Sequence, residues 1–319
     1  MRLKNIDIFK GLLIVLVILG HVLQGSMSDA IWRTIIYSFH MPLFIGISGF
    51  LFNTNKVISI NLIELLKKYF LRVILPWIIA VITYFLLLAI QNGNENIIID
   101  LLVAFIAPFY HLWFIPGFLS WVILTWFLKK IKIGDKMLLS IALLISLVSM
   151  LLETYPETCQ DLGILNRVIL LINYTFRPYF YFFFVFGLVY RNSEFKRPKV
   201  LEYIFPIICF GVVFYLFYYP NKELSIFNFF LFNGVLLSLV LKVSTHNMIP
   251  NSKAIEWIGL NSLGIYLWHV LPILVWKSVI GTENLALFYS TTIFLELVFV
   301  VVYYYLLRID FMRKYVFGV

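Results

Sequence analysis

Apolar residues in this chain gather into ten runs, at approximately 6–26, 32–52, 71–90, 112–128, 137–152, 174–190, 200–219, 224–243, 258–277 and 285–307, separated by short polar loops. A helix rising 1.5 Å per residue needs about 17–25 residues to cross a bilayer. Each run comes near that length; the fifth is short, and the sixth has an alternative start at Ile164. The pattern predicts an all-α membrane protein with about ten transmembrane helices in one bundle. A further apolar stretch, from Ile97 to Tyr110, precedes the fourth run and is cut from it by Pro108. It reads as an interfacial or re-entrant helix on the outer face, because interrupted apolar backbone is tolerated at membrane depth only where protein or a cavity surrounds it.

Composition removes the soluble alternatives. The 319 residues are 62% hydrophobic and only 13% charged, with a mean hydropathy of +0.95, whereas soluble domains carry about 25% charged residues. Little is left over for a separate soluble domain, so 1–319 reads as a single integral-membrane domain. A net charge of +9 would suggest nucleic acid if it formed a patch on a soluble fold. Here the cations sit in the loops between apolar runs, so the expected partner is the lipid bilayer, with no nucleic acid. With the N-terminus inside, 20 of the 25 Lys and Arg residues fall on the cytoplasmic side, Arg2, Lys196 and Arg197 among them. Arg33, Arg167, Arg177, Lys222 and Lys277 fall on or near the outer side. One miscounted helix would invert every later loop, so the alternation supports ten spans with both termini in the cytoplasm, in a multi-pass protein of the inner membrane. The first run begins like a signal peptide, but its length and its histidine mark a retained anchor. Cys159, in an outer loop, and Cys209, inside an apolar run, lie too far apart in depth to pair, and no spacing suits a metal.

Candidate chemistry begins in the first run, IDIFKGLLIVLVILGHVLQ, where Lys10 and His21 are separated only by apolar residues and glycine. The helical rise puts them ~16 Å apart, one at the membrane surface and one about halfway across the ~30 Å hydrocarbon layer. An ionisable group at that depth is a functional-site hypothesis by default. His40, His111 and His269 fall at similar depths in the outer half, and His246 lies in a cytoplasmic loop. For these a plainer role competes, a hydrogen bond to a neighbouring helix, and for His111, beside Trp113, a place in the interfacial belt. On the inner side, KKYFLRVILPW offers Lys67, Lys68 and Arg72, with Lys68 and Arg72 spaced to share a helix face. With Lys10 they make a basic mouth suited to a phosphate-bearing cofactor, unless they serve orientation alone. Arg177, near Tyr174 and Tyr179, either snorkels to the headgroups or lines an outer pocket.

Four of these stretches together resemble the acyltransferase-3 family of membrane acyltransferases. Lys10 and His21 match its first-span pattern of a basic residue, ten residues and a histidine. FHMPLFIGISGFLF is similar to its second-span motif, HLWFIPGF to its fourth, and WIGLNSLGIYLWHVL to its closing motif, in the family's order and over nearly the whole chain. The resemblance implies O-acyl transfer, usually of acetyl, from cytoplasmic acyl-CoA to a carbohydrate hydroxyl at or beyond the outer face. It assigns the catalytic histidine to His21 and its basic partner to Lys10. Members commonly carry R-x-x-R at the start of span three to meet the CoA. Arg72 fits the second arginine, but Tyr69 stands at the first, and Lys68 or Lys67 is the substitute. In the outer half, His40, His111, Trp113, Arg177 and His269 are the candidates for binding the acceptor. Many relatives add an extracytoplasmic esterase-like domain; this chain, which stops after span ten, resembles the single-domain members.

The chemistry holds together independently. A hydroxyl attacking a thioester must lose a proton, for which a neutral imidazole is the usual base. The oxyanion needs donors, among which Ser262 of NSLGIY, a tyrosine hydroxyl and Arg177 are available. Direct base catalysis and a transient acyl-histidine remain open. Other classes stay in view. A proton-coupled transporter would use the same histidines as a relay, a non-catalytic scaffold for glycan assembly would not need His21, and a third reading stays within the family with a different acyl group, such as succinyl, or a small-molecule acceptor.

Overall fold

The computed structural model describes residues 4–92, 97–191, 198–246 and 248–319. Arg2, Lys196 and Arg197, counted above among the inner cations, lie outside the described residues, as does the side chain of Cys159. Sixteen α-helices occur among the described residues: α1 (Lys4–Val22), α2 (Ile31–Leu51), α3 (Thr54–Ile58), α4 (Leu62–Tyr69), α5 (Leu75–Asn92), α6 (Ile97–Ile106), α7 (Phe114–Lys130), α8 (Asp135–Thr154), α9 (Ile164–Phe176), α10 (Tyr181–Tyr190), α11 (Val200–Tyr218), α12 (Lys222–Thr245), α13 (Lys253–Leu260), α14 (Ser262–Trp268), α15 (Val270–Ile280) and α16 (Leu285–Leu306). No strand occurs among the described residues, and the protein is an all-α membrane protein.

Among the described residues eight continuous helical stretches are long and apolar enough to cross a bilayer, and a bent pair, α9 with Pro178–Tyr190, makes nine if it is one span. The fourth apolar run becomes α7, of 17 residues. The ten-residue α6 spans only ~15 Å, too short to cross.

Three departures from straight helices share one cause. Proline lacks an N–H and its ring clashes with the carbonyl four residues back. Pro76 therefore cannot bond Arg72 O, and the chain widens into a π turn over Phe70–Ile74, with Leu75 N bonded to Phe70 O. This makes the third span a 29-residue helical stretch, Leu62–Ile90, that begins well before residue 71. Pro178 disfavours helical backbone at Arg177, which turns left-handed (φ 43°), and the pair bends by 48°. Pro272 cannot bond Trp268 O, and the ninth run breaks between α14 and α15 at His269.

By contact the chain divides into two compact units, each assembled from three stretches. The first takes Met1–Ile6, Tyr37–Leu65 and Trp113–Asn251. In it α2 and α10 touch backbone to backbone, because a Cβ on Gly49 would overlap Phe184 O and one on Gly187 would overlap Gly46 O. The bend between α9 and α10 is closed by Ser146, which donates to Pro178 O (3.0 Å) and accepts from Phe182 N (2.9 Å). Ser149 donates to Asn173 Oδ1 (2.9 Å), and the Asn173 amide returns a bond to Ser149 O (3.0 Å). Buried polar groups so paired hold two spanning helices in register.

The second unit takes Asp7–Ile36, Leu66–Leu112 and Ser252–Val319. Here α1 lies against α13 through Gly11 and Gly259, whose missing side chains leave room for Ile255 O and Asp7 O. The last residues fold back into this unit. Phe317 is buried against Tyr303 at 4.5 Å between ring centroids, and Trp268 Nε1 donates to Val316 O (3.3 Å).

Candidate active site

The carbonyls of α14 set up the chemistry of the second unit. His269 Nδ1 lies 2.8 Å from Tyr266 O and 3.2 Å from Ile265 O. Leu267 O accepts from the Tyr84 hydroxyl (3.1 Å) and faces His111 Nε2 at 3.2 Å. A carbonyl only accepts, so the neutral rings carry their protons on His269 Nδ1 and His111 Nε2. The other nitrogens, His269 Nε2 and His111 Nδ1, are buried and have no hydrogen-bond partner. Two imidazoles are thus locked by backbone carbonyls, each with a bare lone pair.

His21, on α1, completes the group. Its ring centroid is 5.2 Å from that of His269 and 5.9 Å from that of His111, and the latter two are 5.2 Å apart. His111 is 2% exposed and His269 0%, whereas His21 is only half-buried. His111 occupies the turn before α7.

Tyrosines wall the cluster. Tyr110 lies 5.0 Å from the His21 ring, and its hydroxyl accepts from Arg33 Nη2 (3.3 Å). Tyr84 meets His111 edge-on at 5.3 Å, and Tyr266 meets it at 5.4 Å while donating to His111 O. The turn that presents Tyr110 and His111 is held by a Leu112 N bond to Phe109 O (2.9 Å) and by Trp77 Nε1 donating to Leu112 O (3.0 Å). Tyr110 adopts φ 49°. A non-glycine residue there is strained by roughly 1–3 kcal/mol, and such strain collects at functional sites.

The other candidates lie as follows. Lys10 faces Asp7 at 3.9 Å on the same helix. Lys67, Lys68 and Arg72 are all exposed, and the π turn beginning at Phe70 alters the simple i, i+4 phase read for Lys68 and Arg72. Ser262, at the start of α14, is seven residues from His269, ~10 Å along a helix, so it is not part of the cluster. His40, Trp113 and Arg177 belong to the first unit. His40 is buried with Tyr37 edge-on at 5.0 Å. The Arg177 guanidinium lies 4.6 Å over Trp113 and 5.8 Å over Tyr174, and donates to the Tyr179 hydroxyl (2.8 Å).

Sequence reasoning missed Tyr84, Tyr110, Tyr266, Arg33 and Asp7, and it missed Glu296. Glu296 is the single carboxyl of the last apolar run, 5% exposed, with neither oxygen hydrogen-bonded. Its lone charge in an apolar run was the available signal; the tyrosines gave none. Among the described residues no three His, Cys, Asp or Glu side chains are arranged to hold a metal ion.

The chain is an all-α membrane protein, and its kinship follows from comparison. The chain matches the model of the family described as Acyltransferase domain over residues 3–307, and it belongs to that family. It is 29% identical over 187 residues to "Nodulation protein NolL" of Mesorhizobium japonicum, covering 52% of this chain and 50% of that protein. It is 24% identical over 303 residues to "Amino-acid racemase" of Enterococcus faecalis, covering 87% of this chain and 42% of that protein. A second "Nodulation protein NolL", of Sinorhizobium fredii, is 50% identical over 52 residues, 14% of each chain. The matches thus span half or less of the length of these curated relatives. No solved structure matches the chain.

Proposed function

We propose that residues 1–319 form one membrane O-acyltransferase domain that moves an acyl group, acetyl in the simplest case, from cytoplasmic acyl-CoA to a hydroxyl of a cell-surface or exported carbohydrate. The observation that carries this reading is the meeting of His21, His111 and His269 inside a membrane-spanning acyltransferase-family fold. In this reading the protein sits in the inner membrane with both termini in the cytoplasm, the donor arriving from below and the acceptor from above.

His21 is the base because it is the only one of the three rings open to an incoming molecule. Its imidazole takes the hydroxyl proton as the acceptor oxygen bonds to the thioester carbon. The tetrahedral oxyanion then collapses, the C–S bond breaks, and the CoA sulfur leaves with the proton returned by His21. The lone pairs on His111 and His269 beside that ring favour the positive charge it gains in between. The exposed Lys67, Lys68 and Arg72, with Lys10, meet the phosphates of CoA, and the ~16 Å from Lys10 to His21 suits its thioester arm. Trp113 and Arg177 offer an aromatic and a guanidinium face to a sugar, and His40 is kept as a further acceptor-side residue.

The test compares the glycans of one host with and without this protein by mass spectrometry, looking for the added mass of one acyl group per modified sugar. Arg72→Ala is expected to raise the KM for acyl-CoA about tenfold, the loss of ~1.4 kcal/mol of phosphate contact, with kcat kept. Glycans unchanged by the protein would overturn the reading. Tyr110, backed by Arg33, is the oxyanion donor nearest His21. Tyr110→Phe is therefore expected to lower kcat by about 10²–10³ at unchanged protein level, read in the same assay from purified protein; an unaltered kcat would return the donor role to another group.

A further inference from the structure

Away from the histidines, the first unit holds a groove of about 610 Å³ between α8, α10, α11 and α12. Its walls are Leu143 and Leu147, Phe182 and Phe186, and the α12 face from Ile226 to Lys242. None of the residues assigned a part in acyl transfer lines it. Its volume falls within the ~300–1,000 Å³ range of small-molecule pockets, which are apolar with a few placed polar groups. The polar groups are at one end: Lys242 Nζ bonds Glu202 Oε2 at 2.7 Å, and the Ser238 and Tyr190 hydroxyls are 2.8 Å apart.

The groove runs ~24 Å along α12, from Ile226 to Lys242. In a membrane-spanning protein hydrocarbon chains are the surrounding solvent, and the groove keeps space for one along its floor, where a Cβ on Gly234 would meet nothing within 4 Å.

The charged end then says which lipid. A purely anionic headgroup would meet Glu202 as well as Lys242, and a purely cationic one the reverse. A headgroup carrying both a phosphate and a primary amine complements the pair. The phosphate accepts from Lys242 and the hydroxyls, and the ammonium donates to Glu202. The geometry points to a bound glycerophospholipid of the phosphoethanolamine class, one acyl chain along α12 and its headgroup at Lys242–Glu202. In the orientation proposed above this is the cytoplasmic leaflet; the site itself does not depend on the acyl-transfer reading.

The experiment purifies the full chain in mild detergent and identifies co-purifying lipid by native mass spectrometry, then repeats the binding in nanodiscs of defined phosphatidylethanolamine and phosphatidylglycerol content. One phosphatidylethanolamine per chain, enriched over the host membrane, is expected. Gly234→Phe, which fills the floor without meeting backbone, is expected to cut retention about tenfold. Gly211→Phe, at an exposed α11 position that is equally open and outside the groove, is expected to leave it unchanged. Lys242→Gln should keep a lipid in the groove but lose the preference for phosphatidylethanolamine. Retention unaffected by Gly234→Phe, a preference for phosphatidylglycerol, or a second copy of the chain cross-linking through Phe227 would each overturn the proposal.

Discussion

Replacing His21 with alanine is expected to cut the rate of acyl transfer by about 10²–10⁴, the range that a positioned general base contributes, while the protein still reaches the membrane at normal level. The half-buried ring sits beside two imidazoles that are sealed from outside and already held by carbonyls. Its removal opens a small space but leaves no buried donor facing a lost partner in either neighbour, since His111 and His269 spend their N–H groups on Leu267 O and Tyr266 O. His269→Ala should behave differently. It takes the ring's bond away from the Tyr266 carbonyl as well as removing a fully buried ring, so part of its effect should appear as lost thermal stability. The measurement is single-turnover transfer from labelled acyl-CoA by purified protein, with melting temperature read alongside. Full activity in His21→Ala at normal protein level would remove the imidazole from the mechanism, and a larger kinetic loss in a stably folded His269→Ala would move the base to His269.

The spans were legible because lipid imposes one strong requirement, a stretch of apolar helix of fixed length, and local composition reports it directly. The interruptions were half legible. Pro76, Pro178 and Pro272 stand in the sequence, but the outcome of each depends on what receives the freed backbone groups. The π turn at Phe70–Ile74 lies against the chain's own last residues, and the bend after Arg177 depends on Ser146. Among the histidines, depth followed from helical rise. Lateral neighbours did not, because they depend on which helix packs beside which. So His111, which the sequence offered either to an aromatic belt or to the acceptor, is buried with its ring 5.9 Å from that of His21, and His40 falls in the other compact unit. Tyr84 and Tyr266 were beyond reach for the same reason: nothing in a run of apolar residues marks a tyrosine that will bond a carbonyl 183 or 155 residues away.

Gly259→Leu is expected to damage the protein through α1. A Cβ at Gly259 would overlap the backbone of Asp7 and press on Gly11 N, and a Cβ at Gly11 would in turn overlap the Ile255 carbonyl, so the two helices touch at both glycines. Backbone in the middle of a helix cannot retract as a side-chain tip does. The helices must part, and overpacking of this kind costs typically about 1–3 kcal/mol. The displaced element carries both Lys10 and His21. A misplacement of about 1 Å is enough to lower catalysis roughly 10²-fold, so the molecules that do fold should also transfer poorly. Gly134→Ala, at a helix start with φ −68° and nothing within 4 Å of the added carbon, is the matched control and should leave both properties unchanged. Melting temperature in detergent and transfer rate per folded molecule separate the two effects. A Gly259→Leu protein with the melting temperature and rate of the parent would mean that α1 and α13 are not in backbone contact, and the placement of His21 would have to rest on its ring neighbours alone.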